Sequence, residues 1–183
     1  MGMDIIDPIT PKSSNGHRFI LVAIDYFTKW VEAESYARVT KEVVTRFVRN
    51  NLVCRFGLLE SIISDNARNL NNDMMTELCQ QFQITHRHSV PYRPKMNGAV
   101  EVANKNIKTI IRKMSNNYKT WYEMLPLALM AYRTSIRTST GGTPYSLVYG
   151  MEAVIPVEVE IPSLRILMEF ELEEWVRERH EQL

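Results

Sequence analysis

The pattern of apolar and polar positions divides the beginning of the chain into short strands. Two apolar runs, Met3 to Ile6 and Phe19 to Ile24, have the length and composition of buried strands. The segment Lys29 to Glu34 alternates between apolar and polar residues, as a half-exposed strand does. Turn-forming residues separate the second run from the third, which predicts a hairpin. These three strands are therefore expected to pair antiparallel.

After residue 40, predicted helices alternate with predicted strands. Thr40 is a helix-capping residue, and the helical spacing of the apolar residues after it predicts a helix over about 40–53. Leu58 to Ile63 and Ile84 to His86 read as strands on either side of a second helix, over about 71–82. The remaining helical segments are about 98–114, about 118–135, a short helix from Thr143 to Gly150, and an acidic helix over about 164–182.

This order of elements fixes the expected fold class. A strand–helix–strand unit requires parallel pairing, whereas the opening hairpin requires antiparallel pairing. The sequence therefore predicts an α/β domain over residues 1–150, with a mixed five-stranded sheet and helices on both faces. Residues 151–183 are predicted to be an extended segment and the acidic carboxyl-terminal helix, which begin a linker.

The charges are distributed unevenly along the chain. Residues 1–150 contain 19 Lys and Arg against 12 Asp and Glu, a net charge of +7, and residues 151–183 contain 3 against 9, a net charge of −6. The segment 86–113 holds seven of the positive charges, and Glu101 is its one acidic residue. A basic body of this kind favours binding to a polyanion.

Other features exclude several classes of protein. No apolar run approaches the roughly 20 residues that a membrane span requires, and the chain has no signal peptide, so we expect a protein that is neither secreted nor bound to a membrane. Cys54 and Cys79 are far apart and lack the spacing of a zinc site, which predicts reduced thiols in an intracellular protein.

Two carboxylates stand out as candidate metal ligands. Asp65 ends the strand over residues 58–63, in a position where sites form in sheets with parallel strands. Glu101 lies in the helix over 98–114, and helical geometry places Lys105, Lys108 and Arg112 within about 40° of it, opposite the apolar face. A solvated helix face is the simpler interpretation. The functional one is that Glu101 holds a metal ion while the three cations bind a phosphodiester backbone.

A third carboxylate must come from elsewhere, and three residues compete. Asp7 and Asp25 occupy turn positions, where Asp is common for turn chemistry alone. Asp4 lies inside a strand, where Asp is disfavoured, and so it is the favoured candidate. Carboxylates are hard oxygen ligands that suit Mg²⁺ or Mn²⁺, and a pair of such ions can drive phosphoryl transfer without a protein nucleophile.

These residues resemble the Asp–Asp–Glu signature of retroviral and retrotransposon integrases. Asp4, Asp65 before Asn66, and Glu101 after Asn97 and Gly98 match the signature, including the 35 residues between the second and third carboxylates. Further similar segments look like the gypsy-type LTR retrotransposon branch, particularly plant copies: 19–30 (FILVAIDYFTKW), 91–94 (PYRP), 131–133 (AYR), 143–145 (TPY) and 149–150 (YG).

The resemblance implies a fold, an activity and a set of site residues. The fold would be ribonuclease-H-like, and the activity would be 3′-end processing and strand transfer of element DNA into host DNA. A homo-oligomer with two Mg²⁺ or Mn²⁺ ions and no organic cofactor would act in the nucleus, after residence in a cytoplasmic particle. Asp4, Asp65 and Glu101 would be the catalytic metal ligands. The residues expected to contact DNA are Asn66, Tyr92, Arg93, Lys95, Asn97, Gly98, Lys105, Lys108 and Arg112.

The chain departs from the family pattern at two positions, and other functions stay open. Ala67 replaces the common Gly after Asp-Asn, and Asp7 replaces the Gly before Pro8. The family's zinc-binding domain and its carboxyl-terminal DNA-binding module fall outside these 183 residues. The alternatives are therefore an inactive or domesticated fragment that only binds nucleic acid, and a ribonuclease-H-type hydrolase. His86 and His88 are expected to be structural or solvent-facing rather than catalytic.

Overall fold

The computed structural model describes residues 1–6, 8–10, 12–88, 98–114 and 119–154, and its centre is one sheet. The strands pair in the order β3-β2-β1-β4-β5; β1, β2 and β3 are antiparallel neighbours, whereas β4 is parallel to β1 and β5 is parallel to β4. This confirms the predicted mixed five-stranded sheet. The strands are β1 (Gly2–Ile6), β2 (Phe19–Ile24), β3 (Val31–Tyr36), β4 (Ser61–Ser64) and β5 (Thr85–His88).

Helices cover both faces of the sheet, as expected. The first predicted helix runs three residues further than its apolar pattern indicated and includes a π-helical segment, Val48–Val53. The predicted helix over 164–182 lies outside the described residues. Within those residues, no helix has the length and apolar character needed to cross a membrane. The helices are α1 (Lys41–Phe47), α2 (Cys54–Phe56), α3 (Asp73–Gln81), α4 (Gly98–Met114), α5 (Trp121–Arg133) and α6 (Pro144–Tyr149).

Strands β1, β2 and β3 divide their buried residues between two separate cores, one on each face of the sheet. On one face, Met3 of β1 packs with residues of α1 and α3. On the other face, Ile6 of β1 and Ile24 of β2 pack with buried residues of α4 and α5. Successive residues of a strand point to opposite faces, so Gly2 and Asp4 share the face of Ile6. The sheet thus presents Asp4 to the side that α4 covers.

Helix α4 approaches the sheet closely at Gly2. A Cβ atom at this position would lie 2.5 Å from Val100 Cγ2 and still closer to Tyr26 Oη. Val100 is fully buried one residue before Glu101. The absence of a side chain at Gly2 therefore allows the beginning of α4 to rest directly on β1.

A buried ion pair attaches helix α5 to β3, the edge strand farthest from β5. The Glu32 carboxylate pairs with Arg133 of α5 (3.0 Å) and with Arg55 (3.2 Å), and it accepts a hydrogen bond from Trp30 Nε1 at 2.9 Å. Arg133 also donates to the Val31 carbonyl oxygen at 2.7 Å, which fastens the end of α5 to β3. Burial lowers the pKa of Arg133, and Glu32 counters this shift by favouring the charged form.

The contact at Gly2 can be tested by filling it. Gly2→Ala should lower the free energy of unfolding by about 1–3 kcal/mol, because Val100 and Tyr26 must move to admit the methyl group. Urea unfolding followed by circular dichroism measures the change. Gly142→Ala is the control, since the nearest atom to its added Cβ would be Ser146 Oγ at an ordinary 3.6 Å. Equal stability of Gly2→Ala and the parent protein would contradict the prediction.

Candidate active site

The strand register places Asp4 and Asp65 side by side. Gly2 of β1 is paired with Ile63 of the parallel strand β4. Extrapolated by two residues beyond this single paired position, the register brings Asp4 next to Asp65, which directly follows the last residue of β4. Paired residues of parallel strands point to the same face, and a step of two residues returns to it. Both carboxylates therefore belong to the face that α4 covers.

Glu101 reaches this region from α4. Among the strands, the helix packs chiefly on β1 and β2 through its buried residues Val100, Ala103 and Ile107, whereas Glu101 is exposed. A cavity of about 380 Å³ between β1 and α4 is lined by Asp4 and Glu101 together with three cations. These cations are Lys105, Lys108 and Arg112, the residues that helical phasing groups with Glu101.

A residue that the sequence analysis missed fixes the Asp4 carboxylate. The Asn104 side-chain amide donates to Asp4 Oδ2 at 2.7 Å, and the Ile5 backbone N–H donates to Asp4 Oδ1 at 2.8 Å. Asn104 is 8% exposed, and its Oδ1 has no hydrogen-bond partner among the described residues. A polar residue between the core residues Ala103 and Ile107 was the signal that could have identified it.

Asp65 is held by its own turn. Its Oδ1 accepts a hydrogen bond from the Ala67 backbone N–H at 3.0 Å. Asn66, a predicted DNA contact, is exposed, and its Oδ1 accepts from Asn71 Nδ2 at 3.4 Å. In the described ranges, no three Asp, Glu, His or Cys side chains are grouped closely enough to hold one metal ion. The structure therefore places Asp4 and Glu101 in one cavity. Asp65 is next to Asp4 by strand register, but it does not line this cavity.

The chemistry of this donor set nevertheless fits a hard divalent cation. All three side chains are carboxylates on one face of the sheet, which are the ligands that Mg²⁺ and Mn²⁺ prefer. Each carboxylate oxygen has two lone pairs, so the hydrogen bond from the Ala67 backbone N–H leaves acceptor sites on Asp65 for a metal. The assignment of these residues as metal ligands remains a prediction.

The competing residues have other environments. Asp25 Oδ1 accepts hydrogen bonds from the backbone N–H groups of Phe27 (3.1 Å) and Thr28 (2.7 Å), so the turn interpretation of Asp25 is confirmed.

His86 bonds to Ser64 Oγ at 2.9 Å, and burial and the neighbouring His88 lower the pKa of His86. In the strand register His86 is paired with Ile62, which belongs to the α1 and α3 core. His86 thus lies on the opposite face from Asp4 and Asp65.

Four of the predicted DNA contacts and one competing carboxylate lie outside the described residues. The four contacts are Tyr92, Arg93, Lys95 and Asn97, and the carboxylate is Asp7. Gly98 is the first residue of α4, and among the described residues no atom beyond its own chain neighbours and helix backbone lies within 4 Å of the position that its Cβ would take.

Residues 1–94, about half of the chain, match the family described as Integrase core domain. The chain belongs to this family. It is 31% identical over 156 residues to the Gag-Pol polyprotein of avian reticuloendotheliosis virus, covering 84% of this chain and 13% of that protein. It is 34% identical over 137 residues to the Gag-Pol polyprotein of Woolly monkey sarcoma virus, covering 74% of this chain and 8% of that protein.

Solved integrase structures share the fold of this integrase core domain. The catalytic core domain of BIV integrase superimposes with a TM-score of 0.62 at 25% identity, covering 80% of this chain and 90% of that one. A chain of the simian T-cell lymphotropic virus intasome, solved with a PP2A regulatory subunit, gives a TM-score of 0.68 at 21% identity, covering 85% of this chain and 55% of that one. The ribonuclease-H-like fold is thus confirmed. The curated relatives are retroviral polyproteins, so the gypsy-type and plant-type assignment stays a prediction.

The role of Asn104 can be tested by substitution. Asn104→Asp should lower the free energy of unfolding at pH 7 by about 2 kcal/mol or more, because it removes a hydrogen bond to a charged group and places a second negative charge beside Asp4. Asn106→Asp is the matched control, since Asn106 lies on the same helix and is only partly buried. Urea unfolding without divalent metal measures both variants. Equal losses in the two would show that the Asn104–Asp4 bond contributes nothing specific.

Proposed function

We propose that this domain is the catalytic core of a DNA integrase that processes DNA 3′ ends and joins them to target DNA. The observation that carries the proposal is the cavity that Asp4 and Glu101 share with three cations, next to Asp65 on the same face of an integrase-family fold. The chain spans 13% of the first curated relative that it matches, so the activity of a whole protein is part of the proposal.

The carboxylates and the cations would have separate tasks. Asp4, Asp65 and Glu101 would hold two Mg²⁺ or Mn²⁺ ions, which supply activation of a water or a 3′ hydroxyl and neutralise charge on the leaving oxygen. Asn104 would hold Asp4 in position through its amide. Because phosphoryl transfer depends mainly on positioning and charge neutralisation, no Ser, Cys or His nucleophile is required.

The cations of α4 would position the DNA backbone. Lys105, Lys108 and Arg112 span seven residues of helix, which is about 10 Å at 1.5 Å per residue. This length matches about three nucleotides at 3.4 Å per nucleotide. The three cations would therefore bind successive phosphates of one strand that leads to Glu101, and they would contribute affinity without reading sequence.

The setting of the reaction belongs to the same proposal. We infer that the domain works as a homo-oligomer on element ends and target DNA, in the nucleus, and that it derives from an LTR retrotransposon. One structural relative belongs to an intasome, and the basic character of residues 1–150 supports DNA as the partner.

The decisive experiment is a metal-dependent assay on oligonucleotides that represent element ends. The parent protein should nick and join DNA with Mn²⁺ or Mg²⁺, and Glu101→Gln should reduce the rate by at least about 100-fold while DNA binding persists. Glu77→Gln, an exposed change on α3, is the control and should keep full activity. Full activity of Glu101→Gln would contradict the proposal.

A second candidate function is nucleic-acid binding without catalysis. It is favoured by the lack of any group of three metal-ligating side chains among the described residues. Salt-dependent DNA binding by the parent protein with no metal-dependent turnover would select it. Cleavage of RNA–DNA hybrids without strand joining would instead select a ribonuclease-H-type hydrolase.

A further inference from the structure

The strand register assigns Arg87 to the same face of the sheet as the candidate active site. Arg87 of β5 is paired with Ile63 of β4, and Ile63 is paired with Gly2 of β1. Gly2 is in turn paired with Ile24, which is buried in the core that α4 and α5 form with the sheet. Since laterally paired residues share a face, Arg87 projects to the α4 side.

The neighbours of Arg87 on β5 support this assignment. His86 bonds to Ser64 Oγ and is paired with Ile62, a residue of the opposite core. Successive residues of a strand alternate between faces, so Arg87 must lie opposite to His86. The His86 contact therefore agrees with the register.

Arg87 and the cations of α4 lie on opposite sides of Asp65. Among the strands, helix α4 packs chiefly on β1 and β2, and no residue of β4 or β5 belongs to the core that it forms with the sheet. Its row of Lys105, Lys108 and Arg112 lines the cavity beside Asp4. Asp65 follows β4, and β5 is the next strand and the edge of the sheet. The order across this face is thus the cation row, Asp4, Asp65 and then β5 with Arg87.

Arg87 forms no ion pair with any of the residues that the structure describes. Both ion pairs found among the described residues belong to Glu32, and the side chain of Arg87 is exposed. Strand spacings of about 4.8 Å across and 6.6 Å along the sheet put the Cα atoms of Arg87 and Asp65 about 8 Å apart. An arginine side chain that starts at this Cα separation can bind two oxygens of one phosphate through its guanidinium.

We propose that Arg87 contacts the phosphate backbone of bound DNA from the side opposite α4, so that the strand passes over Asp65 between two sources of positive charge. This inference rests on the proposed function. A charged residue on an edge strand can also serve only to prevent pairing with other strands. That role does not require a particular face, and it predicts no effect on DNA binding.

Salt-dependent binding distinguishes the two roles. Binding of a fluorescein-labelled DNA duplex is measured by anisotropy between 50 and 200 mM salt, in a Glu101→Gln background that prevents turnover. Arg87→Gln should weaken binding about 3- to 10-fold and reduce the slope of log Kd against log salt by about 1, as expected for one lost phosphate contact. Arg87→Lys should restore most of the slope because it keeps the charge.

Two controls isolate position from charge. Arg49→Gln removes an exposed positive charge from the π-helical segment, and His88→Gln changes the exposed residue of β5 that shares the face of His86. Both should retain the parental slope, with unchanged melting temperatures in all variants. A slope for Arg87→Gln equal to that of Arg49→Gln would overturn the inference. The proposed function is judged separately, by metal-dependent turnover of the protein with Glu101 intact.

Discussion

The contact between α4 and β1 is the constraint on which the rest of the candidate site depends. Gly2 has no side chain, so Val100 can pack directly on the strand, and this fixes the height of the helix above the sheet. One turn further along, the Asn104 amide bonds to Asp4 and joins the same two elements through a polar contact. Glu101 lies between these two contacts. Its position relative to Asp4 is therefore set by packing on one side and by a hydrogen bond on the other.

The parallel pairing of β4 with β1 supplies the second half of the arrangement. A parallel neighbour brings two strand ends to the same edge of the sheet, and a register of Gly2 with Ile63 makes the residues two positions later, Asp4 and Asp65, adjacent. The antiparallel strands β2 and β3 contribute no carboxylate to this edge. Strand β3 instead provides Glu32, whose ion pair with Arg133 attaches α5 to the sheet. Helix α5 in turn packs against α4 in the same core.

The charges around Glu32 and those around Asp4 and Asp65 are compensated in different ways. The buried Glu32 is neutralised by Arg133 and Arg55, so that region is satisfied internally. Around Asp4 and Asp65, the hydrogen bonds come from amide groups, and the nearby cations of α4 line an open cavity. The positive side chains suit a polyanionic ligand, and the carboxylates suit metal cations that would bind together with it.

The sequence alone determined the fold class and the candidate carboxylates. Period-two and period-3.6 patterns act locally, so they revealed the hairpin, the parallel units and the charged face of α4, including Lys105 and Lys108. They could not reveal that Asn104 bonds to Asp4, since the two residues are 100 positions apart and a single polar residue has no period. The same holds for Arg87. Its face is decided only by the pairing of β5 with β4 and of β4 with β1, because a strand of four residues can be buried on either side until its register is known.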